Sequence, residues 1–267
     1  MTVHDPVATV ALAIGVGIGA QWVATRARLP AIVVMLGAGL AVGPGLGLID
    51  PDAAFGDLLA PFVALGVGIL VFEGALGLRW ADISATTRSV VGRLLTIGVV
   101  VSFVGASLAA YLLTDLPKGV AVLFGAIMVV TGPTVVIPLL RQARLRPRVA
   151  GILRWEGIII DPVGAVLGVS VLEVLLVDHG TVGQALFALL RTTAVGCSVG
   201  LVGAVVLVEV LHRHWVPDHL RDPLALAITV AAFAAANGLR ADAGLYAVTV
   251  LGVALANQRR VATASIL

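Results

Sequence analysis

"RWEGIIIDPVGAVLGV", Arg154–Val169, sets two carboxylates, Glu156 and Asp161, and a proline, Pro162, into a run that is otherwise almost wholly apolar. An acid at the centre of a bilayer-spanning helix costs about 2.5–3.5 kcal/mol, so one that is kept there marks a functional site. With a rise of about 1.5 Å per residue, a helix entering the membrane near Val149 brings Asp161 close to the mid-bilayer. Glu156 then lies about one and a half turns nearer the entry side. Five residues at about 100° each separate the two carboxylates by about 140° around the helix, so they are expected to have different partners. Pro162 has no N–H to donate, which frees the carbonyl of Ile158 one turn back.

The surroundings of this stretch decide what solvent it lives in. Of 267 residues, 60% are hydrophobic and only 12% charged, and the mean hydropathy is +1.09. Soluble domains sit near half apolar and a quarter charged. The chain therefore reads as an all-α polytopic membrane protein of about nine spans, in contact with membrane lipid. The spans fall near residues 7–23, 29–48, 58–78, 90–113, 119–140, 149–177, 192–211, 222–239 and 242–257. "GTVGQALFALL", Gly180–Leu190, reads either as an interfacial helix or as the start of the seventh span. The first run ends in "RARLP" with no small-residue cleavage site, as a retained helix would. Cys197 is the single cysteine, which excludes an intrachain disulfide and a cysteine metal cluster.

Basic residues set the orientation. Arg26, Arg28, Arg79, Arg88, Arg93, Arg141, Arg144, Arg146, Arg148, Arg154, Arg213, Arg221, Arg259 and Arg260 gather on one set of loops, leaving Lys118, Arg191 and Arg240 elsewhere. Asp50, Asp52, Asp57, Asp115 and Asp178 sit on the opposite loops. The amino terminus is thus expected outside and the end of the chain in the cytoplasm, in a plasma (inner) membrane.

Span five, "KGVAVLFGAIMVVTGPTVVIPLLR" (Lys118–Arg141), centres on Thr131-Gly132-Pro133, with Pro138 a little further on. Glycine and two prolines should break this helix in the membrane and release carbonyls such as those of Val129 and Thr134. Irregular backbone at that depth is tolerated only where it is buried or lines a cavity, and transporters use such breaks to bind ions. A broken helix directly before a helix with a mid-membrane aspartate is a more specific signal than either alone. Pro133, Pro138 and Pro162 are the expected helix breakers. Glu73, in "GILVFEGALGLRW" on span three, is as deep as Glu156 and reads as a vestibule acid or a structural pair. Glu173 and Glu209 read as interfacial, and Arg191 as snorkelling to the surface. Asn237 and Asn257 read as caps.

Glycine pairs at small-xxx-small spacing, Gly15/Gly19, Gly39/Gly43 and Gly196/Gly200, predict close helix packing. HExxH, GxSxG and Walker patterns are absent from the sequence, and "GVGIGA" near the start is a helical ridge. The histidines of "HRHWVPDH" belong to a basic connector. No enzymatic activity and no nucleic-acid partner are expected.

Five stretches resemble the monovalent cation:proton antiporter superfamily, in its NhaP-like branch. They are "LPAIVVMLGAGLAVGPGLG" on span two, "FEGAL" on span three, "GAIMVVTGPTVVIPLLR" on span five, "RWEGIIIDPVGA" on span six and "GLYAVTVLGVALANQRR" on span nine. The resemblance implies a sodium/proton antiporter-like helical bundle, a homodimer, and a core that moves to give alternating access. It implies exchange of Na⁺ or K⁺ for H⁺, with no resident cofactor and no metal beyond the transported cation. Asp161 matches the shared ion and proton site, and Thr131 and Gly132 the ion-binding break. Glu156 matches a glutamate that pairs with an arginine on a later helix, and Glu73 an acid of the inner vestibule. The family's Thr-Asp-Pro is Thr131-Gly132-Pro133 here, its Asn-Asp pair is Ile160-Asp161, and the serine after its glutamate is Gly157. Fewer side-chain ligands bring K⁺ beside Na⁺ as the expected cation. The family continues with further spans after "VATASIL". That leaves a second expectation, a non-transporting truncated membrane protein or half of a split transporter acting through a partner.

Overall fold

The computed structural model describes residues 5–27, 29–131, 136, 140, 145–176, 182–213 and 215–258. It divides into two compact units, one of residues 1–66 with 137–143 and one of residues 67–136 with 144–267.

In the first unit α1 (Pro6–Ala27) packs along α2 (Ala31–Leu40), and α1 also meets α3 (Pro51–Phe55). Local chemistry fixes the ends. Asp5 caps α1 by accepting from the Ala8 N–H at 2.8 Å, and Asp50 caps α3 by accepting from Ala53 at 3.0 Å with Pro51 at the first helical position. A single π turn, Ala41–Gly45, finishes α2 around Pro44, whose missing N–H cannot continue the α ladder. Gly47 then takes a positive φ of 60° to turn the chain. Helix α4 (Leu59–Leu76) carries the boundary between the units.

The second unit holds α5 (Ala85–Arg93), a π turn (Leu94–Gly98), α6 (Val99–Leu113), α7 (Lys118–Met128), α8 (Pro147–Leu176), α9 (Val182–His212), α10 (Arg221–Leu239) and α11 (Ala243–Asn257). α6 packs on α7 and α7 on α8, while α9, α10 and α11 pack mutually and α8 also meets α9 and α11. Among the described residues six helical segments are long and apolar enough to cross a bilayer; the shorter apolar helices Ala31–Gly45 and Lys118–Met128 lie between them and Ala243–Asn257 follows them. Val182–His212 is one continuous helix, so Val182–Leu190 is not a separate helix but runs directly into the stretch expected as the seventh span.

Pro162 corrects one expectation. It does not break its helix: Pro147–Leu176 is continuous, with Pro162 inside it and fully buried. One missing donor removes one rung from a 30-residue ladder, and the ring is packed among neighbours that hold the helix on either side. Pro133 and Pro138 lie outside the described residues.

The glycine pairs also separate. A Cβ added to Gly196 would come 2.6 Å from the Ala243 carbonyl oxygen, and one at Gly200 would collide with the Ala247 carbonyl, so α9 and α11 touch backbone to backbone. Added Cβ atoms at Gly15, Gly19, Gly39 and Gly43 meet no described atom within 4 Å. Gly39 and Gly43 instead line an apolar cavity of about 690 Å³ inside the first unit. Gly200→Val should therefore destabilise the fold by about 1–3 kcal/mol, the cost of overpacking a fixed seam. Gly19→Val should change the midpoint of thermal unfolding in detergent far less.

Candidate ion site

Helix α7 stops where the sequence stops supporting it. Val129, Val130 and Thr131 are β-branched and lead into Gly132-Pro133, and the last turn closes with the tight bond from the Val130 N–H to the Ile127 carbonyl at 3.2 Å. Its 11 residues rise about 16 Å, roughly half of a hydrocarbon core of about 30 Å. The free carbonyls at such an end carry the negative pole of the helix, equivalent to about half an elementary charge.

That tip meets the middle of α8. The Asp161–Pro162 bond is the midpoint of Pro147–Leu176. A Cβ added to Gly164 would lie 2.5 Å from Val130 Cγ2 and 3.4 Å from Val130 Cα. One added to Gly157 would lie 3.2 Å from Val136 Cγ2 and 3.5 Å from the Thr131 carbonyl oxygen. Gly157 and Gly164, both buried, are thus where the end of α7 and the residues after it come close to the middle of α8. On a helix turning about 100° per residue, Asp161 falls about 40° from Gly157 and about 60° from Gly164, beside this seam. The Asp161 side chain is half-buried.

Glu156 flanks the seam on its other side, about 100° from Gly157. Its Oε1 accepts a hydrogen bond from the Thr131 hydroxyl at 3.2 Å. The structure so brings Thr131 and Glu156 together: the Thr131 carbonyl rests over Gly157 while its hydroxyl is turned to the glutamate. Asp161 and Glu156 have different surroundings, as their angular separation requires. Gly132 lies outside the described residues. Glu73 is exposed on α4, between buried Phe72 and Gly74.

At the Arg154 end of α8 a second cluster holds the helix in position. Trp155 is buried against Trp80 with ring centroids 4.3 Å apart, amid Ala75, Leu78, Ile83, Val91 and Ile158. Gly77 lets the Arg154 guanidinium lie against the backbone, where a Cβ would come 2.7 Å from Nη2. Asn257, at the end of α11, donates to the carbonyls of Leu78 and Val253 at 2.7 Å each and accepts from the Trp80 N–H at 2.6 Å. It therefore caps the end of span three, a partner far off in sequence, as well as its own helix. Asn237 bridges α10 to α11 by accepting from the Gly244 N–H at 2.7 Å. Asn257→Leu strands the Trp80 N–H and the Leu78 carbonyl and should cost about 2–3 kcal/mol. A guanidinium-free denaturant titration of the purified chain, followed by Trp80 and Trp155 fluorescence, checks this.

Gly164, Val130 and the Trp80–Trp155 pair are contributors that motif reading does not single out, and it marks Gly157 only as a departure from the family's serine. Their signal was only a small residue one turn before and one turn after an intramembrane acid. Arg191 is exposed on α9, and Glu209 pairs with Arg213 at 2.6 Å one turn along that helix.

A family model described as "Sodium/hydrogen exchanger, transmembrane" matches residues 10–265. Na(+)/H(+) antiporter 1 of Methanocaldococcus jannaschii is 31% identical over 146 residues, which cover 54% of this chain and 34% of that protein. Na(+)/H(+) antiporter ApNhaP of Aphanothece halophytica is 33% identical over 124 residues, covering 46% of this chain and 23% of its own. The solved structure of the sodium proton antiporter MjNhaP1 from Methanocaldococcus jannaschii at pH 8 superposes with a TM-score of 0.78 at 25% identity, covering 94% of this chain and 63% of that one. The chain thus spans less than two thirds of each of these relatives. With the exchanger model matched over nearly its whole length and the antiporter fold shared, this integral membrane chain belongs to the sodium/hydrogen exchanger family.

Proposed function

We propose that the chain is a secondary transporter that exchanges a monovalent cation, Na⁺ or K⁺, for H⁺, with Asp161 as the shared site. The observation that carries this reading is the meeting of the α7 tip with the midpoint of α8, where a half-buried carboxylate and the negative pole of a half-membrane helix come to the same depth. A carboxylate holds a proton or a dehydrated cation but not both, and this exclusion couples the two fluxes. Carbonyls at the end of α7 complete the ion's oxygen shell, in the manner of half-helix ends in transporters. Thr131 and Glu156 together pin the break in span five, so that those carbonyls keep a fixed position. Alternating access of the core exposes Asp161 to one side and then the other. In this reading the amino terminus is outside, the chain lies in the inner membrane, and the working unit is a homodimer.

The test is proton movement in proteoliposomes containing the purified 267-residue chain and a trapped pH-sensitive dye. Addition of Na⁺ or K⁺ outside should move protons outward and raise the internal pH. A chain that is correctly folded and reconstituted but gives no response to either cation overturns the reading.

A further inference from the structure

The chain has a single lysine, Lys118, and it stands at the mouth of a cavity that has no part in the ion site. The cavity, about 410 Å³, lies among α6, α7, α8 and α9 and is lined by Phe103, Val122, Leu167, Val171, Leu175 and Leu186, with Lys118 at its rim. Its volume falls in the range of about 300–1,000 Å³ that takes small ligands. It is closely built: a Cβ at Gly119 would come 2.6 Å from Leu175 Cδ2, so at that point α7 presents backbone to α8. Among the described residues, Ser170, 4% exposed, is the one other polar residue that lines it.

Two features define what the cavity can take. Its depth follows from α6: Phe103 is ten residues from the helix end at Leu113, which puts the cavity floor about 15 Å below that end. Lys118 begins α7, where the first N–H groups of the helix are unpaired and the helix pole is positive. The Lys118 ammonium lies 5.9 Å from the Tyr111 ring centroid, at the level where tyrosines mark the membrane–water boundary. A cationic mouth at headgroup level over a deep apolar slot is complementary to one kind of molecule that surrounds every membrane protein.

We propose that this cavity binds one acyl chain of an anionic phospholipid, with the lipid phosphate held by Lys118 and the first N–H groups of α7. The slot excludes a polar ligand, because its walls offer almost nothing to hydrogen-bond. Lys118 selects anionic over zwitterionic headgroups, since a phosphate already paired with its own choline has less to gain from the ammonium. The site is independent of Asp161 and of exchange.

Native mass spectrometry of the purified full chain, delipidated and then titrated with dioleoyl phosphatidylglycerol or dioleoyl phosphatidylcholine, tests it. Phosphatidylglycerol should add as one preferred equivalent, well above phosphatidylcholine. Lys118→Gln should weaken that equivalent about five-fold, as one interfacial lysine supports, and Lys118→Arg should restore it. Val122→Trp, which fills the slot without touching the charge, should remove the preferred equivalent for both headgroups while circular dichroism stays unchanged. Equal binding of the two lipids, or undiminished phosphatidylglycerol binding in Val122→Trp, overturns the proposal. So does a fluorinated inorganic phosphate analogue that occupies Lys118 by ¹⁹F NMR as tightly as the lipid does. A change in the monomer–dimer ratio in Val122→Trp with no lipid lost assigns the slot to a second copy of the chain and equally overturns it.

Discussion

Asp161→Asn should abolish cation-driven proton movement in proteoliposomes, lowering the rate by about a hundredfold or more and leaving the fold intact. Asparagine matches aspartate in size, so the substitution changes charge and not packing in a helix whose Ile158, Ile160 and Pro162 are fully or almost fully buried. On the proposed mechanism, what is lost is the carboxylate at the midpoint of α8 that alternates between a proton and a cation. An interaction with a charged group is worth about 1.5–3 kcal/mol in all, and losing about 2.7 kcal/mol of it is a factor of a hundred. An amide also cannot take up the returning proton, so the cycle has no second half. Glu156→Gln is the informative comparison: its carboxylate accepts from Thr131, and glutamine's amide oxygen can still do so. That variant should slow exchange by a much smaller factor. The assay uses the same dye-loaded vesicles, with Na⁺ and K⁺ in separate runs. Exchange in Asp161→Asn above a few per cent of wild type, or a Glu156→Gln variant that is the more damaged of the two, removes Asp161 from its assigned role.

Much of this site is written locally and so can be read from the chain. The cost of an acid in lipid singles out Asp161, a rise per residue gives its depth, and Gly132-Pro133 announces the end of α7. Each of these rests on one helix at a time. What cannot be read is which faces meet. The resemblance puts Thr131 by the ion through its backbone or its hydroxyl, and the hydrogen bond that the hydroxyl makes is to Glu156, 25 positions away. Nothing in either segment encodes that choice; it follows from the rotation at which span five lies on Gly157. Asn257 looks like a helix cap by composition, yet two of its three bonds go to residues about 180 positions earlier. The three glycine pairs give identical local signals, and among the described residues only Gly196/Gly200 meets another backbone within 4 Å. Pro162 fails as a breaker because burial among neighbours outweighs the one lost rung.

The contact between Val130 and Gly164 makes the sharpest test of whether the α7 tip must sit where it does. Gly164→Leu should reduce exchange by about a hundredfold, because its first side-chain carbon already needs the space of Val130 and the rest must push the tip off α8. A displacement of about 1 Å in a binding constellation is enough for a loss of that size. The stability cost is about 1–3 kcal/mol, so the protein should still fold and reconstitute. Gly168, one turn along the same helix, is the internal control. A Cβ there meets no described atom within 4 Å, and Gly168→Leu should exchange at close to the wild-type rate. The smaller Gly164→Ala should lose a fraction of the activity, and Val130→Ala, by removing the opposing methyl groups, should restore it. That restoration is a coupling between two residues in contact, which two independent sites would not show. Equal loss in Gly164→Leu and Gly168→Leu would mean that any bulk on α8 is harmful and that the tip contact carries no special weight. Failure of Val130→Ala to rescue Gly164→Ala would mean that the α7 tip does not govern the site. Rescue, with Gly168→Leu active, ties the function of Asp161 to the backbone that faces it and leaves Thr131 and Glu156 the task of holding that backbone in register.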